Sequence, residues 1–381
     1  MSDNLKLKVV HLTSAHPRYD TRIFLKECRS LAKNGYDVSL VVADGKGDEL
    51  REGVSFYDVG GATGRLDRIF NVTSRVFDKA KELHGDIYHL HDPELIPIGL
   101  KLRKSGKKVV FDAHEDVPKQ LLSKPYLNKT ARWLLSKVFS VYESYACSRL
   151  NGIITATPFI RDKFLVINPC SVDINNYPML GELAVGEIDW TLKENKVCYI
   201  GGIASIRGVL EVVNAMGILR TGTRLELGGE FSEDSVKQAA QADVGWSSVS
   251  ALGFLSREQV RDVLRTSVGG LVTFHPVPNH IDAQPNKMFE YMSAGVPVIG
   301  SDFPLWKKII EDNECGICVD PLEPRAIAKA IDYLVSSPVE AERMGRNGKA
   351  AVYDKYNWDI EETKLLGFYK KLADQSCKGS T

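Results

Sequence analysis

A short segment around residue 285 contains residue types that could bind a negatively charged ligand. A strand-like run, GGLVTFH (269–275), and a loop precede NKMFEYMSAG (286–295), which has the pattern of a helix that stops at Gly295. Pro285 suits the first helical position, and Lys287 follows in the first turn. Unpaired N–H groups and the helix dipole favour negative charge at such a helix start. We predict that a diphosphate binds there.

Two carboxylates flank Lys287 and are separated by seven residues. Glu290 shares a helix face with Asn286 and Lys287, and its carboxylate can accept hydrogen bonds from both hydroxyls of a ribose. Asp282 precedes the helix, where it could bind sugar hydroxyls beyond the phosphates. Each residue alone would be read as an ordinary surface charge. Their combination at a strand–loop–helix junction predicts a sugar-nucleotide site.

A glycine turn earlier in the chain offers matching chemistry. In YIGGIASIRG (199–208) a strand ends at Gly201 and Gly202, and Arg207 begins the next helix. Backbone N–H groups and a guanidinium both suit phosphate oxygens. We predict that Arg207 contacts phosphate; the alternative is an ordinary surface arginine.

The elements that position these residues alternate regularly between strand-like and helix-like segments. Apolar runs such as KVVHLT (8–13) and KVVFDAH (108–114) are separated by segments long enough for crossover helices, as in TRIFLKECRSLAKNG (21–35). This alternation is typical of parallel sheets covered by helices. The polar segment NPCSVDINNYP (168–178) interrupts the series, and a second series follows. The fold class predicted is α/β, with two Rossmann-like domains facing each other across a cleft.

The spacing of Asp282 and Glu290 resembles the signature of the retaining GT-B glycosyltransferases of family 4, two acidic residues separated by seven. PNKMFEYMSAGVPVIGSD (285–302) is similar to one bacterial surface-polysaccharide subgroup, although Asp282 stands where Glu is usual. Further similar segments, HPRYDTRIFLKECRSLAKNGYDV, HDPELIPIGL, VVFDAHED and YNWDIEETKLLGFYKKL, extend the resemblance over nearly the whole chain.

The resemblance implies that the chain is divided into four parts. Residues 1–168 would form an acceptor-side domain, 169–178 an interdomain linker and 179–357 the domain that binds the donor nucleotide. Residues 358–381 would form a terminal helix that crosses back to the first domain. The implied reaction moves a sugar from a nucleoside diphosphate sugar, with UDP favoured, to a hydroxyl of a growing cell-surface glycan such as O-antigen, capsule or exopolysaccharide. Anomeric configuration is retained in this reaction.

The same resemblance places His114 beside the donor sugar, near the bond that breaks. A structural histidine bonded to local backbone is the alternative. Three acidic neighbours, Asp112, Glu115 and Asp116, could orient its ring or raise its pKa. In the mechanism implied, His114, Asp282, Arg207 and Lys287 act on the sugar and the departing diphosphate, and no protein nucleophile is needed.

The first loop carries His16, Asp20 and Arg22, where many family members have a glycine pair. These residues could contact the acceptor or a phosphate, or the loop could be an ordinary helix entry capped by Asp20. His89, His91 and Asp92 suggest a metal, but HLHDPE matches the family pattern at a strand end and the sequence shows no further ligands. Without an Asp-any-Asp triplet, we predict no metal and no cofactor.

The first 160 residues hold 25 Lys and Arg against 19 Asp and Glu, although the whole chain has a formal net charge of zero. Much of the excess lies in 117–142, which has no acidic residue and contains several bulky apolar ones. This stretch could contact an anionic inner-membrane surface, or it could be a helix that buries its apolar stripe. The basic residues are Lys119, Lys124, Lys129, Arg132 and Lys137.

Composition excludes several other classes of protein. A neutral chain with 26% charged residues gives no basis for nucleic-acid binding, and no apolar run is long enough to span a membrane. Seven scattered cysteines and the absence of a leader pattern predict a reduced, cytoplasmic protein that is peripheral to the membrane at most. The first loop lacks the glycines of a dinucleotide-dependent dehydrogenase. A sugar-nucleotide epimerase of the same fold and a non-catalytic binding subunit remain as alternatives.

Overall fold

The computed structural model describes residues 6–123, 128–183 and 186–374. The chain divides into two compact units: Met1–Asn176 with Ile360–Thr381, and Tyr177–Asp359. Each unit contains one sheet that is parallel throughout or nearly so. The predicted α/β fold class with two Rossmann-like domains is therefore confirmed.

The first unit contains an eight-stranded sheet. Its strands are β1 Lys8–Leu12, β2 Asp37–Val42, β3 Glu49–Arg51, β4 Val54–Asp58, β5 Ile87–Leu90, β6 Lys108–Ala113, β7 Gly152–Thr155 and β8 Ser171–Asp173. The spatial order is β3-β4-β2-β1-β5-β6-β7-β8, and only the β3–β4 pair is antiparallel. The sheet order reverses direction between β1 and β5, which is where parallel α/β sheets commonly bind ligands at their carboxyl ends.

Helices cover this sheet. A π-helical segment, Thr21–Cys28, continues directly into the first α-helix, and a second one, Arg68–Val72, leads into the third. A 3₁₀ turn, Pro93–Leu95, precedes the fourth. The α-helices are α1 Arg29–Lys33, α2 Arg65–Asp67, α3 Thr73–Leu83, α4 Ile96–Lys104, α5 Val117–Leu122, α6 Lys129–Cys147 and α7 Pro158–Leu165.

The second unit contains a six-stranded parallel sheet. Its strands are β9 Lys196–Ile200, β10 Arg224–Gly228, β11 Val249–Gly253, β12 Gly269–Val272, β13 Val298–Ser301 and β14 Gly316–Val319, in the order β11-β10-β9-β12-β13-β14. Its α-helices are α8 Val209–Met216, α9 Asp234–Ala242, α10 Arg257–Thr266, α11 Asn286–Ser293, α12 Pro304–Asp312, α13 Pro324–Ser336 and α14 Pro338–Lys355. Three 3₁₀ turns complete it: Trp190–Leu192, Ser205–Arg207 and Val244–Ser248.

The last helix, α15 Trp358–Asp374, belongs to the first unit from Ile360 onward. Its buried Phe368 packs against Gly152 of β7, where a Cβ would lie 2.6 Å from the phenylalanine ring. The hydroxyl of Tyr369 lies 2.8 Å from Nδ1 of His89 on β5. Buried contacts of this kind attach the end of the chain to the first sheet.

Strand β9 shows why the sequence forms a sheet buried on both faces. Val197 and Tyr199 pack into one apolar cluster, and Cys198 and Ile200 pack into another. Successive side chains of a strand point to opposite faces, so a strand buried on both sides must be apolar without interruption. Full burial of such a side chain contributes about 1.5–3 kcal/mol relative to exposure.

Three short strands were not predicted from the sequence. β3 and β4 form a hairpin through Glu52 and Gly53, which have φ angles of 49° and 80°. Two positive φ angles make the turn type that matches strand twist, but Glu is uncommon there and the sequence signal is weak. β8 lies inside the segment 169–178 that was expected to be a linker, and it pairs with β7.

The predicted stop of α11 is confirmed. Gly295 has a φ of 66°, and the N–H groups of Gly295 and Val296 close the helix by bonding to Met292 and Tyr291. The predicted start is off by one residue, because Pro285 is the N-cap and Asn286 the first helical residue. Among the described residues, no helix is both long and apolar enough to cross a bilayer.

Candidate active site

Helix α11 is held against the second sheet by a buried tyrosine. The Tyr291 hydroxyl accepts a 2.9 Å hydrogen bond from the backbone N–H of Ile200, the last residue of β9. Gly270 of β12 leaves room for the ring, since a Cβ there would lie 2.3 Å from a ring atom. Tyr291 therefore fixes α11 against both β9 and β12.

Lys287 is buried in this first turn. Its Nζ lies 3.8 Å from the ring centroid of Tyr199 and 5.4 Å from that of Phe274, and it has no hydrogen-bond partner. Burial, with a smaller effect from Arg207, lowers the pKa of Lys287 to about 7. A buried ammonium without an anionic partner is costly, so an anionic ligand would stabilise it.

The glycine turn after β9 lies next to Lys287. Gly201 has a φ of 110°, and a Cβ on it would lie 3.5 Å from the Lys287 Nζ. Arg207 donates a 3.1 Å hydrogen bond to the carbonyl of Gly202, and its guanidinium lies 5.5 Å from the Phe274 ring centroid. The structure thus brings together Gly201, Gly202, Arg207 and Lys287, all predicted as donor-binding residues.

Glu290 has a partner that the sequence did not reveal. Arg257, at the start of α10, donates a 2.8 Å hydrogen bond to the Glu290 carboxylate and a 2.7 Å bond to Glu182. Burial opposes its charge, but the two carboxylates raise the pKa of Arg257. Arg257 leaves Glu290 partly exposed and fixes the direction of its carboxylate.

The loop before α11 is braced by three hydrogen bonds. The indole N–H of Trp306 donates to the carbonyl of Ala283 at 2.7 Å, and the Tyr177 hydroxyl donates to Gln284 at 3.0 Å. His280 lies 3.2 Å from the His275 carbonyl, and burial lowers the pKa of His280 to about 4. Asp282 lies half-buried in the turn that these bonds hold, and Asn286 is exposed on the first residue of α11.

In the first unit, His114 immediately follows β6 and bonds to Asp112. Its Nε2 lies 2.9 Å from the Asp112 carboxylate. Of the three acidic neighbours, Asp112 is thus the one that orients His114. Asp116 bonds instead to Lys163 at 2.9 Å, and Glu115 bonds to Gln120.

Arg22 holds Asp112 from the opposite side. Its guanidinium donates two 2.8 Å hydrogen bonds to the Asp112 carboxylate and a 2.7 Å bond to the Ile174 carbonyl. Burial favours the neutral acid, but the charge of Arg22 holds the pKa of Asp112 well below its usual range. Arg22 was predicted to contact acceptor or phosphate; the structure buries it, so it is a positioning residue for Asp112.

Asp20 caps the first helical segment. Its carboxylate accepts hydrogen bonds from the backbone N–H groups of Arg22 at 2.8 Å and Ile23 at 3.0 Å. These bonds satisfy N–H groups that a helix start leaves unpaired. The ordinary helix entry proposed as the alternative for this loop is therefore present.

His16 forms an ion pair with Asp92. The Nδ1 of His16 lies 2.9 Å from the Asp92 carboxylate, and its ring centroid lies 4.9 Å from that of His114. Burial opposes protonation, but Asp92 raises the pKa of His16. Asp92 also accepts bonds from Thr13 and Ser14, so the His16 ring is held beside His114 by a fixed carboxylate.

Comparison with known proteins identifies both units. Residues 21–170 match the family described as Glycosyltransferase Family 4, and residues 185–351 match the family described as Glycosyl transferases group 1. The chain is a glycosyltransferase of the GT-B type.

Individual relatives agree with this assignment. The glycosyltransferase is 23% identical to a phosphatidyl-myo-inositol mannosyltransferase of Mycobacterium leprae, over 93% of this chain and 90% of that protein. Its fold is similar to sucrose-phosphate synthase from Thermosynechococcus elongatus, with a TM-score of 0.78, 17% identity, and coverage of 97% and 100% of the two chains. It is also similar to Anabaena HepE in complex with UDP and glucose, with a TM-score of 0.73, 13% identity, and coverage of 96% and 100%.

Helix α6 of this glycosyltransferase contains residues 129–142 of the basic stretch, for which a membrane contact and a buried apolar stripe were the two expectations. Its buried face is formed by Ser136, Glu143, Ala146 and Cys147, and Tyr142 packs against the apolar cluster that contains the last two. Phe139 and Tyr142 are half-buried, and the other six large apolar side chains of the helix are exposed. They are Trp133, Leu134, Leu135, Val138, Val141 and Tyr145, each between 45% and 72% exposed. Lys124 and Tyr126 of the stretch lie outside the described residues.

Several residues of the site escaped sequence reasoning. Arg257 lies 33 residues before Glu290, and Phe274 reads as an ordinary strand residue. Only the Ser256 capping box marks the helix that carries Arg257, and it gives no hint of the ion pair. Two groups in the first unit also have the geometry of metal ligands: His11, Glu27, His89 and His91, and His91, Asp112 and His114.

Proposed function

We propose that this glycosyltransferase moves a sugar from a nucleoside diphosphate sugar, with UDP as the nucleotide, to a hydroxyl of a growing cell-surface glycan. The observation that carries the proposal is Lys287, a buried ammonium without a hydrogen-bond partner beside a glycine turn and a helix start. This arrangement suits a diphosphate, because helix starts and glycine turns commonly bind phosphate groups. The similarity to HepE, solved with UDP and glucose, supports UDP as the donor nucleotide.

The diphosphate charge has three proposed partners. Arg207, Lys287 and the N–H groups of the first turn of α11 stabilise the negative charge that develops on the leaving diphosphate. Gly201 and Gly202 give the phosphates access to the backbone. With these groups, the leaving group needs no bound metal.

The ribose and the sugar are assigned to carboxylates and a histidine. Glu290, directed by Arg257, accepts hydrogen bonds from the ribose hydroxyls. Asp282 and Asn286 contact the donor from the loop and first turn of α11, and His114, oriented by Asp112, contacts the sugar. His16 and Asp20 belong to the loop that we assign to the acceptor side, where the exposed part of the His16 ring is the group available for contact.

The reaction is proposed to retain anomeric configuration by front-face attack. The bond from the anomeric carbon to the phosphate oxygen breaks, and a bond to the acceptor oxygen forms on the same face. The acceptor proton passes to the departing phosphate. Charge stabilisation by Lys287 and Arg207 assists this step without a protein nucleophile.

We assign the acceptor to a lipid-linked glycan at the inner face of the cytoplasmic membrane. The exposed stripe Leu134, Val138, Val141 and Tyr145 repeats at helical spacing and so forms one face of α6. Exposed Lys129 and Lys137 lie on the same helix, as expected for an anionic lipid surface. The relative named phosphatidyl-myo-inositol mannosyltransferase gives independent support for a lipid acceptor.

A donor screen tests the proposal at its first step. The thermal midpoint of the protein is measured against a panel of nucleotide sugars, because only a ligand that binds the folded state raises it. We expect one UDP-sugar to raise the thermal midpoint of the wild type. The same UDP-sugar should leave the midpoint of Glu290→Ala unchanged. Arg265→Ala, at an exposed position of α10, is the matched control and should respond like wild type. No response to any nucleotide sugar would contradict the proposal.

A further inference from the structure

Four ionisable side chains meet in the interior of the first unit, where one of them, His91, lies 3.4 Å from His114. His11 on β1 pairs in register with His89 on β5, and His91 follows two residues later. The three side chains therefore point to the same face of the sheet. Glu27, from the π-helical segment, completes the group, and all four residues are at most 2% exposed.

Several polar atoms of this group have no hydrogen-bond partner. They are Nε2 of His11, Nε2 of His89 and both carboxylate oxygens of Glu27. A buried polar atom left without a partner is destabilising, and here several lie in one place. The Arg22 guanidinium lies 3.2 Å from one Glu27 oxygen, but it makes its hydrogen bonds to Asp112 and Ile174.

The spacing of the group is that of a metal centre. One ligand atom from each of the four residues can be chosen so that all lie within 4.8 Å of one another. Ligands at about 2.0–2.1 Å around a tetrahedral zinc ion are roughly 3.4 Å apart. Side-chain rotations would therefore need to shorten the longest of these distances by no more than about 1.4 Å to reach zinc geometry. Nδ1 of His11 and Nε2 of His91 lie 2.8 Å apart, so one hydrogen-bonded proton lies between them. A metal ion bound by both nitrogens would replace this proton.

The next layer of contacts also fits a metal centre. Nδ1 of His89 lies 2.8 Å from the Tyr369 hydroxyl, and Nδ1 of His91 lies 3.5 Å from the Asp112 carboxylate. Metal-binding histidines commonly use their second nitrogen in this way, which fixes the ring. Arg22 pairs with Asp112 at 2.8 Å and lies 3.2 Å from Glu27, so one guanidinium serves both acidic side chains.

We propose that His11, Glu27, His89 and His91 form a buried structural site for a divalent transition-metal ion, with Zn²⁺ the best fit to three imidazoles and one carboxylate. Four protein ligands leave no open position, which is characteristic of structural and not catalytic zinc. The ion would join β1, β5 and the first helical segment beneath Asp112. Binding of this ion would require neither the donor nor the acceptor.

Metal content of the full chain tests the site. Protein purified from zinc-supplemented cells is analysed by plasma mass spectrometry, and we expect about one zinc per chain. His89→Gln and Glu27→Gln should each lower this content well below one zinc per chain, because each removes a ligand, and even a change in an outer-shell partner costs about 10–100-fold in metal affinity. The control is His84→Asn, which removes an exposed histidine of the same unit at a positive φ that Asn tolerates.

A second measurement keeps the test valid if a variant fails to fold. Wild-type protein is stripped with a chelator, and its thermal midpoint is compared before and after one equivalent of ZnCl₂ or CoCl₂ is added. We expect a higher midpoint with either ion and the intense visible absorption of four-coordinate cobalt. The proposal would be overturned if adding either ion left the thermal midpoint of metal-free wild type unchanged. It would also be overturned if His89→Gln protein retained the wild-type zinc content.

Discussion

Lys287 gives the donor site a protonation state that depends on the ligand. Its amino group is buried without a hydrogen-bond partner, and burial lowers its pKa to about 7. At pH 8 the neutral amine is therefore the predominant form. A diphosphate beside it would favour the charged form. Donor binding above pH 7 should therefore be coupled to proton uptake.

The first prediction measures that coupling. UDP binding to wild type at pH 8 should take up a large fraction of one proton, and the uptake should be smaller at pH 6, where most Lys287 side chains are already charged. Calorimetry in buffers with different ionisation enthalpies gives the number. Lys287→Met should show no uptake attributable to this site. Proton-neutral UDP binding by wild type at pH 8 would refute the assignment.

Arg257 carries the second prediction. Because it directs the Glu290 carboxylate, Arg257→Met should weaken UDP binding roughly tenfold, in line with about 1.5 kcal/mol for a hydrogen bond to a charged group. Binding of inorganic diphosphate, which has no ribose, should change little. Titration calorimetry with both ligands separates the two effects. Arg265→Met, exposed on the same helix, serves as control, and equal weakening of both ligands would mean that Arg257 does not act through the ribose.

At the scale of elements, long apolar strands were predictable and short or polar ones were not. The strands ending near His114 and Gly201 read as continuous apolar runs, because they are buried on both faces. β3 and β8 have only three residues each and depend on pairing with a neighbouring strand. The ends of α11 were predictable to within one residue from Pro285 and Gly295.

Helix α6 shows a limit of pattern reading. An apolar stripe in a sequence does not say which side of the helix faces the protein. Here the inner face is occupied by Glu143, which forms an ion pair with Lys163 at 2.6 Å, and the apolar face is left exposed. The side of α6 that faces the protein is set by contacts with other elements, such as Lys163 of α7, and these contacts are not visible in the pattern of the helix itself.

The third prediction concerns this helix. Replacing Leu134, Val138 and Val141 with Ser should reduce co-sedimentation with vesicles containing phosphatidylglycerol at least about tenfold, since each buried aliphatic side chain contributes roughly 1.5 kcal/mol or more. Wild type should bind these vesicles more weakly at high salt, because exposed Lys129 and Lys137 contribute electrostatically. Val339→Ser, exposed in the second unit, is the control. Wild-type protein that stays in the supernatant, or that forms dimers through α6, would contradict the membrane assignment.

At the scale of the whole molecule, the two Rossmann-like domains predicted from the sequence are confirmed, and the donor-binding turn stays a prediction. The buried histidine group was not predicted. Alternation of apolar runs is a local signal that repeats along the chain. His11 and His91 are 80 residues apart and meet only because β1 and β5 are neighbours in the sheet. Sequence reasoning considered His89, His91 and Asp92 together, whereas the structure pairs Asp92 with His16 and brings Glu27 to the other two.

Acceptor-dependent turnover is the most direct test of sugar transfer by this molecule. With the UDP-sugar identified by thermal shift and lipid extracts as acceptor, we expect wild type to release UDP only when acceptor is present, and Lys287→Ala to be slower by about a hundredfold or more. Release of UDP without acceptor, conversion of the donor into an epimer, or a wild-type rate for Lys287→Ala would contradict the account.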